Sequence, residues 1–322
     1  MAVNWLRRTV LAAACTSAAL LAACGSSSIE SALKPARFVA FGDGFSDVGQ
    51  VGGKRYTVND GTVNNWTQQV AATYGVTLTP ASAGGSSYAQ GNARISARPD
   101  AAGNDATPTV VQQIDRFLAG GSFKESDVVL MGAGTSDLVV QAAAVAAGTQ
   151  TREQMLVQAR QAGSDLGAQA QRVVRAGAKY VMVAGTYNLG RTPWAEGMGA
   201  AQVNLLTDAS AEFNKALLLG FGSPTNPNIL YVDAPYYFNL VTGSPSSYGF
   251  ENANDPVCTS VDAGNGIGIG AGQVNSALCN TGTLRPSVAN YNRYVFADRV
   301  YVTPETQRLF GTYAYDRLVA RW

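Results

Sequence analysis

The chain of 322 residues contains no histidine. That absence removes the commonest general base and the commonest metal ligand. It excludes a Ser-His-Asp hydrolase, a histidine-ligated zinc site and a haem with a histidine ligand. Charge is also scarce: 14% of residues are charged, against 46% hydrophobic, and the formal net charge is +1. No basic stripe is present, so no nucleic-acid partner is expected. Disorder as the overall state is excluded, because it requires low hydrophobicity and high net charge. The apolar content suffices for a full core, and the low charge with abundant Gly, Ala, Ser and Thr fits an extracytoplasmic domain.

Long apolar runs are missing too. The longest at the N-terminus, Leu11 to Leu20, follows Arg7 and Arg8 and is too short to span a membrane, so residues 1–24 are expected to be a secretory signal. Leu21-Ala22-Ala23-Cys24 resembles the lipobox of bacterial lipoproteins. The resemblance implies cleavage before Cys24 and acylation of its sulfur, giving a membrane partner through a lipid anchor. Gly25 in the next position favours the outer membrane by the same analogy. The alternative is an ordinary signal peptide cleaved elsewhere. Residues 25–35 read as a tether and residues 36–322 as a single domain. Removing residues 1–24 takes away two arginines and no acid, which leaves a balance of −1 and no charge-driven partner. Beyond the leader, Cys258 and Cys279 form an even pair in an oxidising compartment, and a disulfide is expected.

Short apolar runs bounded by Gly, Asn or Asp mark four strands: Arg37 to Phe41, Asp127 to Met131, Tyr180 to Ala184 and Ile229 to Val232. Helical patterns lie between and after them: Asn65 to Tyr74, Pro108 to Leu118 with Thr107 as its N-cap, Gln154 to Ala176, Ala200 to Leu219, and a last helix from Thr303-Pro304. Gly163 interrupts the apolar stripe of the third. The alternation predicts an α/β fold, a three-layer α/β/α sandwich around a mainly parallel sheet. Ligands of such folds bind at the carboxyl ends of the strands. Thr242 to Arg285 reads as a Gly-, Ser- and Asn-rich excursion. Its run from Gly264 to Gly272 lacks the Lys-Ser/Thr of a phosphate cradle and does not lie at a strand-to-helix turn.

Four blocks stand at or near strand ends. Phe41-Gly42-Asp43-Gly44-Phe45-Ser46-Asp47 resembles the first block of the GDSL, or SGNH, hydrolase family, usually F-G-D-S-L-S-D. Tyr88-Ala89-Gln90-Gly91-Asn92-Ala93 resembles its second block, Gly134-Thr135-Ser136-Asp137-Leu138 its third (usually G-x-N-D-L), and Asp298-Arg299-Val300-Tyr301 its fifth (usually D-x-x-H). The resemblance covers residues 36–322 and implies a flavodoxin-like sandwich with ester-hydrolase chemistry and no cofactor or metal. Position by position, the chemistry is depleted. Gly44 stands where the nucleophilic serine belongs, Ser136 where the oxyanion asparagine belongs and Tyr301 where the histidine belongs. Asp298 alone survives of the triad. The backbone amides of Gly44 and Gly91 remain as oxyanion donors, and Asp43, Ser46 and Asp47 are expected to be structural.

An acyl-enzyme route needs a nucleophile and a base. Gly44 has no side chain, and a tyrosine, with a reference pKa of about 10, is a poor base at neutral pH. The resemblance therefore implies an envelope lipoprotein that is impaired or inert as a catalyst and binds an acyl, ester or glycan-type ligand at the former cleft. Two alternatives stand beside it: a carboxylic-ester or lipid hydrolase with an altered constellation, and an interaction protein whose cleft is closed by larger side chains. Trp66, Tyr187, Trp194, Tyr236, Tyr237 and Phe238 are candidates either for a ligand groove or for the core.

Overall fold

Four apolar runs, each too hydrophobic to leave a face in water, become the central parallel sheet. In the computed structural model, which describes residues 31–222 and 226–322, these are β1 (Arg37–Gly42), β2 (Asp127–Gly132), β3 (Tyr180–Ala184) and β4 (Ile229–Val232). The expected leader and Cys24 lie outside the described residues, as do residues 25–30 of the expected tether. The spatial order is β1-β2-β3-β4, all parallel, with Phe38 beside Val128, Val128 beside Tyr180, and Val181 beside Ile229. Both faces are covered, so Phe38 to Phe41 and Val128 to Met131 are almost wholly inaccessible. β1 and β2 each run one residue further than expected, into Gly42 and Gly132.

A short segment extends the sheet beyond β1. The amide of Ala40 donates to Ser86 O at 3.1 Å, Tyr88 N donates to Ala40 O at 2.7 Å, and Gln90 N donates to Gly42 O at 3.1 Å. Ala40 and Ser87 bridge in parallel. The chain thus steps from β1 to one side, then returns to the other side to form β2. That reversal is a topological switch point, and it opens a crevice at the carboxyl end of β1.

Helices fill both outer layers. On one side α1 (Trp66–Thr73) packs against α8 (Pro304–Val319); on the other α4 (Arg152–Arg175) packs against α6 (Ala200–Gly220). Between them in sequence come α2 (Val110–Gly120), α3 (Thr135–Ala146), α5 (Pro193–Gly197) and α7 (Ala234–Gly243). The helix expected from Pro108 begins two residues later. Thr109, not Thr107, is its N-cap, in a reciprocal capping box with Gln112. Thr107 instead donates its hydroxyl to the buried Asp100 carboxylate at 2.6 Å. Helices α3, α5 and α7 were not expected; α3 opens on the buried polar residues Thr135, Ser136 and Asp137 and continues in a nearly unbroken apolar run from Leu138 to Ala146, so it shows little periodicity.

Beyond α7, β5 (Asn252–Pro256) pairs with β6 (Tyr294–Phe296) as a separate two-stranded ribbon. The excursion is stapled by the Cys258–Cys279 disulfide, whose Cα atoms are 5.9 Å apart. Val58, Val257 and Ala297 pack with the two cysteines in a small second core.

Gly163, which weakened the helical pattern in the sequence, has a packing role. A Cβ there would lie 2.1 Å from the Phe213 carbonyl oxygen of α6, and one at Gly167 would lie 2.7 Å from Gly220 Cα. The two helices touch backbone to backbone. Gly163→Ala should therefore destabilise the protein by about 1–3 kcal/mol despite the better helix propensity of alanine. Gly120→Ala, where an added Cβ meets nothing within 4 Å, should stabilise it by up to about 1 kcal/mol. Urea unfolding of both variants measures the difference, and equal effects of one sign would refute the contact argument.

Candidate functional site

The loops after β1 and β2 and the turn before α8 meet at the switch point. Asp43, the first residue past β1, is fully buried. Its Oδ1 accepts the amide of Phe45 at 3.0 Å, and its Oδ2 accepts those of Gly134 at 3.0 Å and Ser136 at 3.4 Å. Burial nonetheless raises its pKa to about 7, against the pull of these amides. Gly42 just before it is clamped by Gln113 of α2, which donates to Gly42 O at 2.9 Å and accepts from Gly42 N at 2.8 Å.

Ser46 is also buried. Its hydroxyl donates to Gly132 O at 3.0 Å and accepts from Trp66 Nε1 at 3.2 Å, so it ties β1, β2 and α1 together. Asp47 gathers the amides of Gly49 and Gln50 on Oδ1 and that of Gly91 on Oδ2, each at 2.8 Å. Burial raises its pKa to about 6. Asp43 and Asp47 therefore each serve a separate set of amides. Asp137 accepts the amide of Ile95 at 3.0 Å and pairs with Arg94 at 3.3 Å; burial raises it to about 6.

The position expected to carry the nucleophile is filled from above. A Cβ on Gly44 would lie 2.7 Å from Tyr301 Oη and 2.8 Å from its Cζ. Tyr301 is 1% exposed, so its ring has little room to withdraw. Burial also pushes its phenol well above its ordinary pKa, which keeps it protonated. A second ring closes the neighbouring amide. Tyr56 lies 2.0 Å from where a Cβ of Gly91 would sit, and it packs on Tyr301 with ring centroids 5.0 Å apart. The amide of Gly91, expected as an oxyanion donor, is taken by Asp47. Ser136, at the expected asparagine position, has a buried hydroxyl with no hydrogen-bond partner among the described residues.

Asp298 is fully buried and engaged by backbone. Its Oδ1 accepts the amides of Val300 at 2.8 Å and Tyr301 at 2.6 Å, and its Oδ2 accepts that of Ser276 at 3.0 Å. Burial raises its pKa. The carboxylate thus shapes the turn that presents Tyr301 and joins it to the disulfide-stapled excursion.

Space remains on the far side of Gly91. A polar cavity of about 250 Å³ is lined by Asp47, Lys54, Tyr56, Gly91, Asn92 and Asn275, among others, but not by Gly44, Ser136, Asp298 or Tyr301. Asn92 holds a left-handed backbone, φ 62°, and its Nδ2 donates to Gly266 O at 2.8 Å. Of the six aromatic candidates, Trp66, Tyr187, Tyr237 and Phe238 join the core around Phe45 and Phe310, and Tyr236 is exposed. Trp194 borders a cavity. Tyr56 and Gln113 escaped the sequence reading. Gln113 carried a signal, as a polar residue within the apolar stripe Val110, Ile114, Phe117; Tyr56 carried none. Among the described residues, no group of three or more His, Cys, Asp or Glu side chains is placed to hold a metal ion.

No family profile matches the chain. A Pseudomonas putida protein, described as an uncharacterized protein in the trpE-trpG intergenic region, is 30% identical to it over 161 residues. The match covers 50% of this chain and 25% of that protein, so it spans a quarter of the relative's length.

The buried carboxylates set a pH dependence. Asp43, Asp47 and Asp137 hold protons in the folded state up to about pH 6–7, whereas the unfolded chain releases them near pH 4. Their contribution to stability is full below pH 4 and is lost as pH rises through 6 to 7. No histidine titrates in that window. The melting temperature should fall by at least about 2 °C between pH 5 and pH 8. Calorimetry in matched ionic strength checks this, and a flat or rising profile would contradict it.

Proposed function

We propose that this protein is a non-catalytic relative of the GDSL/SGNH hydrolases, held at the bacterial envelope through Cys24, that binds a ligand beside a disabled site. The observation that carries the reading is the Tyr301 ring lying where a side chain on Gly44 would stand. A nucleophile is missing, its space is occupied, and the residue in the base position is a protonated phenol that has Asp298 bound to its backbone instead of its side chain. The cavity beyond Gly91 retains volume and amide-bearing side chains at Asn92 and Asn275, which suits the hydroxyl-rich, glycan-type member of the ligand classes considered above. No arrangement among the described residues favours hydrolysis by an altered constellation: Ser46, the serine two positions after Gly44, spends its hydroxyl on Gly132 and Trp66.

Purified protein should turn over p-nitrophenyl butyrate no faster than a heat-unfolded control, and a fluorophosphonate probe should leave it unlabelled. Gly44→Ser should stay inactive and lose about 1–3 kcal/mol of stability, because its side chain meets Tyr301. Gly44→Ser with Tyr301→His relieves that contact and should recover stability relative to the single variant. Turnover by the unaltered protein at rates usual for esterases, or labelling at Ser46, would overturn the reading. The anchor is tested separately: Cys24→Ala should move the protein from the membrane fraction to the soluble one, and unchanged fractionation would remove lipidation from the proposal.

A further inference from the structure

A second cavity, of about 430 Å³, is bordered by the glycine-rich loop. Val140, Ala142 and Ala146 of α3 form one wall, Trp194 and Gln202 a second, and Ile269 a third. The loop is pinned in place. Asn92 Nδ2 holds Gly266 O, Ile267 is buried, and Gly268 lies so close to Ala101 that a Cβ would sit 2.5 Å from the Ala101 carbonyl oxygen. Ala101 lines this cavity and Ala102 the polar one, with Asp100 between them. The segment Asp100 to Asn104 thus lies between the two cavities, and the glycine-rich loop borders the larger one.

Two features define what fits the larger chamber. Among the described residues, no lysine or arginine lines it. Its one carboxylate, Asp100, is already satisfied by the amides of Ala102 and Asn104 and the hydroxyl of Thr107, so it has no need of a cation. A charged head group of either sign would enter without a partner, at the cost of its hydration. The second feature is Gln202, whose Nε2 is buried with no acceptor among the described residues. A buried donor without a partner is costly and calls for an acceptor oxygen from outside the protein.

We infer that this chamber binds an uncharged aliphatic molecule carrying a carbonyl or hydroxyl oxygen, with its chain against Val140, Trp194 and Ile269 and its oxygen accepting from Gln202. The volume falls within the range of small-molecule sites. The site is distinct from the polar cavity, and its occupancy does not depend on whether the protein is a catalyst.

Calorimetric titration with methyl hexanoate, methyl octanoate and methyl decanoate tests it on the full folded protein. Affinity should rise about fourfold per added methylene until the chamber is full, the increment expected for burying each one. Octanoate at pH 8 should bind at least tenfold more weakly than methyl octanoate. Gln202→Leu should weaken methyl octanoate about two- to tenfold while leaving the chain-length slope intact. Ala143→Trp, on the exposed rim of α3, should abolish binding with no change in melting temperature; Ala146→Trp serves if the first variant does not fold. Absence of binding, no dependence on chain length, or preference for the carboxylate would overturn this inference and leave the non-catalytic reading untouched. Release of methanol from a bound ester would overturn that reading and leave the chamber in place.

Discussion

Burying the Asp43 carboxylate obliges the fold to surround it with donors, and those donors come from two strand ends. Phe45 lies in the loop after β1; Gly134 and Ser136 lie where β2 passes into α3. The carboxylate is therefore a joint between the first two strands at the point where the sheet reverses direction. Ser46 reinforces the joint by reaching back to Gly132, and Gln113 fixes Gly42 from the neighbouring helix. These hydrogen bonds tie the loop over β1 to β2, α2 and the start of α3.

A second carboxylate does the same for the opposing turn. Asp298 gathers the amides of Val300, Tyr301 and Ser276, and so fixes the direction from which the Tyr301 ring arrives. The ring meets Gly44 on one side and Tyr56 on the other, and Tyr56 covers Gly91 in turn. Positions that would carry chemistry in the resembling family are here filled with aromatic packing, and the polar framework around them persists as structure. On the proposed reading, catalysis has been lost while the scaffold that once positioned it was kept for its contribution to folding.

Much of this was legible in the residues. The four strands are short apolar runs punctuated by glycine and aspartate, and burial on both faces leaves no competing period to confuse them. The disulfide followed from an even pair of cysteines behind an expected leader. The start of α2 was misplaced because Thr107 and Thr109 both flank Pro108, and only the Asp100 carboxylate decides which threonine caps and which does not. Helix α3 is apolar on most sides, so its period is hidden. At the site, the missing serine and histidine were visible, but the filling of their space was not. Tyr56 is far in sequence from Gly91 and Tyr301, and nothing local announces that three such distant residues stack. Likewise the glycine run could be denied a phosphate, yet its place beside the larger cavity depends on contacts with Asn92 and Ala101, more than 150 residues away.

The contact between Tyr301 and Gly44 also constrains the protein's history to come. On the proposed reading, a lineage carrying this pair cannot regain a working serine in one step, since the hydroxymethyl group collides with the ring. Nor does exchanging the ring for imidazole help by itself, because it opens a void next to a residue with nothing to deprotonate. Each intermediate sacrifices packing without any catalytic return, so selection has no gradient to climb. If that reading holds, the phenol acts as a ratchet, holding the chain to whatever role it now performs.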